Sequence, residues 1–521
     1  MKNHSIILSF IQKNYGGNVG FIIPREDRFQ GEYVSPSEEH LAFASGFTGS
    51  AGLAILGPSK GALFTDGRYT LQAKDQIDLT YFEVRDLNQT SILEFVKASQ
   101  KGAPSLDALV FDPWLITYEG FASLSQMAEE AGISLIEDSF ETLNNTWEDR
   151  PQASGVFIFE HPFEFSGQTR EEKLAFLRQF LKDQNLSGYL FCNPESIAWL
   201  LNIRGNFVPN TPSVQGFLIV TLAGVTLFTQ VPFENDLIMV EPEEKIISVL
   251  PNFKGALGFD KKQIPYILHK AIPSDMGRSI NDPLILPKAK KNKIEREGAR
   301  NAHVRDGLAL GECLAWIDSI ENKSSVTELD VVAYLAGCRQ KQPLFVEDSF
   351  NTISGVGANG AIIHYRPNLA QNKKLSEGTL LLLDSGGQYR DGTTDVTRTL
   401  SLAEPTPIQK EHFTRVLKGH VALARAIFPK GTFGHQLDIL ARQFLWQGGE
   451  DYPHGTGHGV GSFLSVHEGP QRISKFPGSA ILEEGMILSN EPGIYKEGAY
   501  GIRIENLILV VPHPEIPDYL C

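Results

Sequence analysis

The sequence predicts an α/β fold over its first half and an α+β fold over the rest, in three domains at residues 1–150, 151–287 and 288–521. Three features carry that expectation. Apolar runs bounded by turn residues alternate with amphipathic stretches early in the chain, the pattern of strands and helices stacked in layers. One pattern occurs twice: LAFASGFTGSAGLAILGPSKGALFTDGRY is echoed by IAWLLNIRGNFVPNTPSVQGFLIVTLAGVTLFTQ. Both read helix, glycine-bearing loop, apolar strand, short turn, apolar strand, which indicates a duplicated α/β domain. Beyond Pro287, one long amphipathic stretch leads into a strand-rich region whose Gly-heavy loops hold nearly all the candidate chemistry.

The elements follow in order. MKNHSIILSFIQKN reads as an amphipathic first helix, with too short an apolar part for a membrane span or signal peptide. VGFIIP, AGLAILG and GALFTDGRY are strands, and NQTSILEFVKASQKG and FASLSQMAEEAG are helices; the unit closes near NNTWEDRPQ. Thr169 with Glu172 forms a capping box that opens the second unit, followed by Leu174, Leu177, Phe180 and Leu181 at helical spacing. The Pro- and Lys-rich PLILPKAKKNK is the next boundary, and KIEREGARNAHVRDGLALGECLAWIDS is one long helix.

Composition narrows the function. A chain of 521 residues exceeds one ordinary core. Its net charge of −15 leaves no general attraction for nucleic acid or anionic lipid. Cys192, Cys313, Cys338 and Cys521 have no CxxC spacing, which excludes a thiolate zinc site and argues against a disulfide framework. Cys313 and Cys338 read as core fillers, and a reducing cytoplasm is the expected compartment.

The chemistry begins in LLLLDSGGQYRDGTTDVTRTL. Four leucines announce a buried strand, yet the run delivers Asp384, and Asp395 follows after a turn. A hairpin around Tyr389 to Gly392 would set the two acids within a rung or two, roughly 5 Å apart if directly opposed. Carboxylates that close on a buried sheet repel unless one is protonated or a cation lies between them. Asp391, by contrast, suits a solvated hairpin tip. In PHGTGHGVGSFLSVHEGP the glycines forbid a helix, so His454, His458 and His467 are presented from loop and strand. SNEPGIY places Glu491 before a Pro-Gly turn, and GIRIENLILV places Glu505 in the middle of a strand, on the same face as Arg503. The set Asp384, Asp395, His458, Glu491 and Glu505 is oxygen-dominated, suited to Mn²⁺, Mg²⁺ or Co²⁺ with zinc not excluded. Four negative charges are too many for one divalent ion and suit two, a pairing that activates water for hydrolysis.

These residues, in this order, resemble aminopeptidase P (Xaa-Pro aminopeptidase) of the large three-domain type. The likeness also includes IIPREDRFQGEY, SGFTGSAG, LFTDGRY, EGARNAHVRDGLAL and IIHYRP, and spans essentially the whole chain. It implies two related creatinase-like α/β domains before a pita-bread catalytic domain. It further implies two metal ions, with Mn²⁺ expected, held by Asp384, Asp395, His458, Glu491 and Glu505, of which Asp395 and Glu505 bridge. By the same resemblance Glu491 is the proton acceptor, and His364 and His467 contact substrate and serve catalysis. His454 shapes the proline pocket, His458 lies within reach of the oxyanion, Arg503 braces the bridging acids and Arg68 reaches substrate from the first domain. The implied partners are peptides with penultimate proline, with no nucleic acid and no membrane. Members of this type continue past the last metal glutamate, whereas this chain stops at PEIPDYLC. That difference leaves open the edge of the catalytic sheet and the family's homodimer. The alternatives are a prolidase cleaving dipeptides, or a binding protein of the same fold without metal.

Overall fold

The computed structural model describes residues 3–87, 89–152, 154–478 and 480–521. By their contacts these divide into two units. One comprises Met1–Glu160, Arg170–Pro209 and Ser213–Pro283, and the other His161–Thr169, Asn210–Pro212 and Leu284–Cys521.

In the first unit the opening helix spans Asn3–Tyr15 and buries His4, Ile7 and Ile11 on one side. The first sheet is built from β1 (Val19–Pro24), β2 (Leu53–Leu56), β3 (Gly61–Thr65), β4 (Phe82–Asp86), β5 (Ala108–Phe111) and β6 (Ser134–Glu137), in the order β4-β3-β2-β1-β5-β6. A second sheet follows from β7 (Gly188–Phe191), β8 (Phe217–Thr221), β9 (Val225–Phe228), β10 (Met239–Glu241), β11 (Leu257–Phe259) and β12 (Gly277–Ser279). Its order, β10-β9-β8-β7-β11-β12, matches the first strand for strand. In each sheet the second strand is antiparallel to both neighbours and the other pairings are parallel. The echo in the sequence is therefore a repeated topology. Strands buried on both faces read as continuous apolar runs, as VGFIIP and FLIVT do.

The second unit opens with α1 (Ile285–Ala289) and α2 (Lys293–Ser319). The expected long helix is all of α2, started by a reciprocal capping box between Asn292 and Glu295. Next come α3 (Glu328–Gln340), β13 (Ile353–Val356), β14 (Leu380–Ser385), β15 (Gly387–Tyr389), β16 (Gly392–Thr393) and β17 (Val396–Ser401). After α4 (Gly434–Trp446) lie β18 (Gly457–Gly459), β19 (Glu468–Ile473), β20 (Ile487–Asn490), β21 (Gly493–Lys496), β22 (Tyr500–Arg503) and β23 (Asn506–Leu509). β14 is the middle strand of β13-β14-β17, and β18 and β20 are central in β19-β18-β20-β23.

The leucine run is explained by burial on both faces of β14. Leu381 and Leu383 pack with Leu310, Cys313, Ile317, Val331 and Leu335 from α2 and α3. Leu380 and Leu382 face the other way, toward Ile502 and Ile504 and toward Ile353 and Tyr365 respectively. Strand periodicity of two then assigns Asp384 to the face of Leu380 and Leu382. Cys313 and Cys338 are core residues, as expected.

Two expectations fail here. GIRIENLILV is not one strand: β22 and β23 belong to different sheets and the chain breaks between them at Ile504 and Glu505. The break lets the Ile504 amide bond the Pro492 carbonyl and the Glu505 amide the Thr397 carbonyl. Asp391 is not a solvated tip either. It is buried and paired with Arg305 of α2, because α2 packs directly on the hairpin.

Candidate metal and active site

Each candidate acid or imidazole of the second unit is delivered by a specific pairing. In the β14–β17 ladder Asp384 stands opposite Thr397 and Ser385 opposite Val396, so Asp395 enters just past the last rung. The β15–β16 hairpin turns at Tyr389 to Gly392, as the sequence predicts. Thr397 donates to Glu505 Oε2 at 2.6 Å, which ties the acid at the β22–β23 break to the strand that follows Asp395.

His458 and Glu491 come together because β18 and β20 approach closely at Gly457. A Cβ there would lie 1.9 Å from the Ser489 carbonyl oxygen, so only glycine fits. The Ser489 hydroxyl accepts from the His458 amide at 2.9 Å and donates to Glu491 Oε1 at 3.0 Å. The loop before β18 is held by Arg442 of α4, which is fully buried and donates to the Tyr452 and His454 carbonyls at 2.8 and 2.7 Å.

Asp395, His458 and Glu505 each present a ligand atom within 4.8 Å of one another. His458 Nε2 lies 3.5 Å from Asp395 Oδ2 and 3.3 Å from Glu491 Oε1. Its Nδ1 is 3.0 Å from the Gly459 carbonyl, which can only accept, so Nδ1 carries the proton and the Nε2 lone pair is turned into the acid cluster, where a cation would meet it. Asp384 binds Arg503 through Oδ2, while its Oδ1 is buried with no hydrogen-bond donor among the described residues. Arg503, itself fully buried, also donates to Thr397 Oγ1 at 3.2 Å and to the Tyr495 hydroxyl at 2.7 Å.

Burial and like-charge repulsion raise Asp395, Glu505 and Glu491. Desolvation, then the charges of Glu505, Asp384 and Glu491, push the Asp395 carboxyl well above its ordinary value. Desolvation and the charges of Glu491 and Asp384 do the same to Glu505. Glu491 is pushed up to about 7, mainly by desolvation. Four carboxylates share one guanidinium here, a donor set with an excess of negative charge suited to cations.

The imidazoles divide between the cluster and its surroundings. His467 packs edge-on against His458 with ring centroids 4.3 Å apart. His454 Nδ1 bonds the Gly455 carbonyl at 2.7 Å, and its Nε2 accepts from the Tyr495 hydroxyl at 2.8 Å. His364 is half-buried and follows Ile363, whose carbonyl accepts from Arg503 at 3.3 Å. Arg68 belongs to the other unit, where its guanidinium is tied to Asp66 two residues away, with Nη2 2.8 Å from Oδ2. Sequence reasoning missed Thr397, Ser489 and Tyr495 as partners of this cluster. Thr397 and Ser489 are ordinary strand residues in sequence, and only the terminal position of Tyr495 in EPGIY was a signal.

The family models agree with this architecture. Residues 25–143 and 149–295 each match a creatinase/prolidase N-terminal domain, and residues 297–512 match metallopeptidase family M24. A "Probable Xaa-Pro aminopeptidase P" of Coccidioides posadasii (strain C735) is 39% identical over 513 residues, covering 94% of this chain and 79% of that protein. The chain belongs to the Xaa-Pro aminopeptidase P family, within metallopeptidase family M24. Another relative with the same description, from Aspergillus fumigatus (strain CBS 144.89 / FGSC A1163 / CEA10), is 37% identical, covering 94% of this chain and 78% of that protein. Among solved structures, an X-prolyl aminopeptidase from Caenorhabditis elegans superposes with a TM-score of 0.91 at 30% identity. The match covers 100% of this chain and 88% of that one, which is described as a cytosolic enzyme with a di-nuclear active site. Prolidase from Pyrococcus furiosus shares the fold over 64% of this chain and 95% of its own, at 24% identity and a TM-score of 0.52. Two creatinase N-terminal domains therefore precede a pita-bread catalytic domain. Among the described residues no helix is long and apolar enough to cross a membrane.

Proposed function

We propose that this chain is a metal-dependent Xaa-Pro aminopeptidase that releases the N-terminal residue from peptides with proline second. The observation that carries the reading is the convergence of Asp395, His458 and Glu505 within 4.8 Å, beside Glu491 and Asp384. The donor set fits a pair of divalent ions: four carboxylates, an imidazole in the ligating tautomer and an orphaned buried oxygen, Asp384 Oδ1. Asp384, Asp395, His458, Glu491 and Glu505 would hold them, with Mn²⁺ as the first ion to test. When bound, two such ions supply charge to acidify a water and to polarise the scissile carbonyl.

The chain's own groups do the rest. Glu491 takes the proton; Ser489 occupies its Oε1, which leaves Oε2 to accept. His467 and His364 orient the peptide, and the proton held by Glu491 passes to the leaving prolyl nitrogen, because an expelled amide anion is a poor leaving group. Arg503 locks Asp384, and Tyr495 links Arg503 to His454, so the wall assigned to the proline pocket and the metal ligands form one hydrogen-bonded unit. Arg68 as a substrate contact has the weaker support, since Asp66 already occupies its guanidinium. The description of the Caenorhabditis elegans relative as cytosolic supports the same location for this chain.

The test is hydrolysis of Arg-Pro-Pro by purified protein with Mn²⁺, beside an Ala-for-Pro peptide and an Arg-Pro dipeptide. Metal-dependent release of Arg from the tripeptide alone supports the reading. Cleavage indifferent to metal or proline defeats it, and cleavage confined to the dipeptide makes the chain a prolidase.

A further inference from the structure

A second cluster of charge lies beside the acids and histidines, and the reaction as described does not use it. Glu468 follows His467 directly and is 4% exposed. Its carboxylate meets two ammonium groups, Lys291 Nζ at 2.6 Å on Oε1 and Lys288 Nζ at 2.8 Å on Oε2. Both lysines come from the PKAKKNK segment, and both are buried, at 3% and 4% exposure. Burial alone would raise the Glu468 carboxyl, but the two ammoniums hold it below its ordinary value. Lysine is almost never buried unless paired, and two buried lysines on one acid is a costly arrangement. Their neighbours show that the segment is aimed on purpose: Lys290 points out to Glu483, while the Lys291 amide bonds the Gly485 carbonyl at 2.9 Å.

What the cluster grips is the corner that carries His467. Glu468 pairs with Gly459, the residue after His458, and a Cβ on Gly459 would lie 2.2 Å from the Glu468 carbonyl oxygen. A Cβ on Gly461 would lie 3.1 Å from Glu468 Oε2, and the Gly461 amide bonds the Ser465 carbonyl at 2.9 Å. The loop from Gly459 to Glu468 thus folds back on itself and brings the two imidazoles to 4.3 Å. The ladder slips between His458 and Gly459, so strand pairing alone does not fix this corner.

We infer that Lys288, Glu468 and Lys291 form a buried ionic clamp that positions His467 against His458, making all three positioning residues for the peptide-holding histidine. The inference rests on the aminopeptidase reading for its kinetic consequence and on geometry alone for the ring placement. A buried ion cluster fixes direction where an apolar contact would allow sliding, and its replacement by neutral groups of similar size is often tolerated by the fold.

The test is the neutral triple variant Lys288→Met, Glu468→Gln, Lys291→Met, alone and combined with His467→Ala, assayed with Mn²⁺ and Arg-Pro-Pro. The expected result is two metal ions still bound and kcat/KM reduced about 10- to 100-fold, the usual scale for groups that orient site residues. In the His467→Ala background the same three changes should cost less than about 2-fold, because the clamp acts through that ring. Equal losses in both backgrounds would overturn the inference, as would unchanged kinetics in the triple variant. If the triple variant does not fold, Glu468→Asp, which keeps the charge and shortens the tether, goes through the same cycle with the same criteria. A crystal structure of the variant reads the ring pair without turnover: retention of the wild-type spacing refutes the clamp even if the wild-type protein proves inactive on prolyl peptides.

Discussion

Replacing Glu491 with Gln should stabilise the metal-free protein above neutral pH, although Glu491 is the proposed proton acceptor and a proposed metal ligand. Desolvation, with the Asp384 charge, moves the Glu491 carboxyl from 4.5 to about 7, against the pull of Arg503 and His467. A group whose pKa rises on folding binds protons more tightly in the native state than in the unfolded chain. Its stabilising contribution is fully present below about pH 4.5 and is lost as pH climbs through about 7. At about 1.36 kcal/mol per pH unit, the wild-type protein loses about 2.5 kcal/mol between about pH 5 and about pH 8 from this one side chain. Gln does not titrate and keeps the size and the acceptor for Ser489. Urea unfolding of chelator-treated wild-type and Glu491→Gln proteins at those two pH values measures the difference, to which the relief of Asp395 and Glu505 from the Glu491 charge adds in the same direction. The variant should gain about 2–3 kcal/mol on the wild type from the lower pH to the higher. With saturating Mn²⁺ the order should reverse, since the variant lacks one anionic ligand. A gap between the two proteins that does not change with pH in the absence of metal would refute the reasoning.

Other consequences are as direct. Thr397→Val removes the 2.6 Å donor to Glu505 without changing volume, and metal analysis after dialysis should show affinity reduced about 10- to 100-fold. Gly457→Ala forces β18 off β20 at the Ser489 carbonyl and should abolish both metal retention and cleavage, while circular dichroism still reports a folded chain. Leu383→Ala, in the fully buried run below Asp384, should cost about 2–5 kcal/mol in thermal or urea unfolding, with the cavity left in the core against α2 and α3. Tyr495→Phe cuts the link between His454 and Arg503; steady-state kinetics should show a lower kcat for prolyl peptides with metal content intact.

The sequence by itself determined the class of structure and singled out the candidate site groups. Periodicity announced the duplicated α/β unit, the long helix and the buried leucine strand, because burial on one or both faces leaves a repeat in the order of apolar residues. The five metal-binding candidates were legible because carboxylates are rare inside apolar runs, as in LLLLD, and because glycine-flanked histidines seldom serve a core. Only the tertiary structure decided how those groups meet. The break at Ile504 and Glu505, which GIRIENLILV does not announce, arises because the backbone there finds partners in Pro492 and Thr397, far away in sequence. Asp391 reads as a hairpin-tip residue until α2 lies across it and supplies Arg305. Nothing local tells Lys288 and Lys291 that their partner is Glu468, some 180 residues later. Local sequence sets conformational preference over a few residues, whereas charge pairing and close backbone approach act through space and depend on the finished packing.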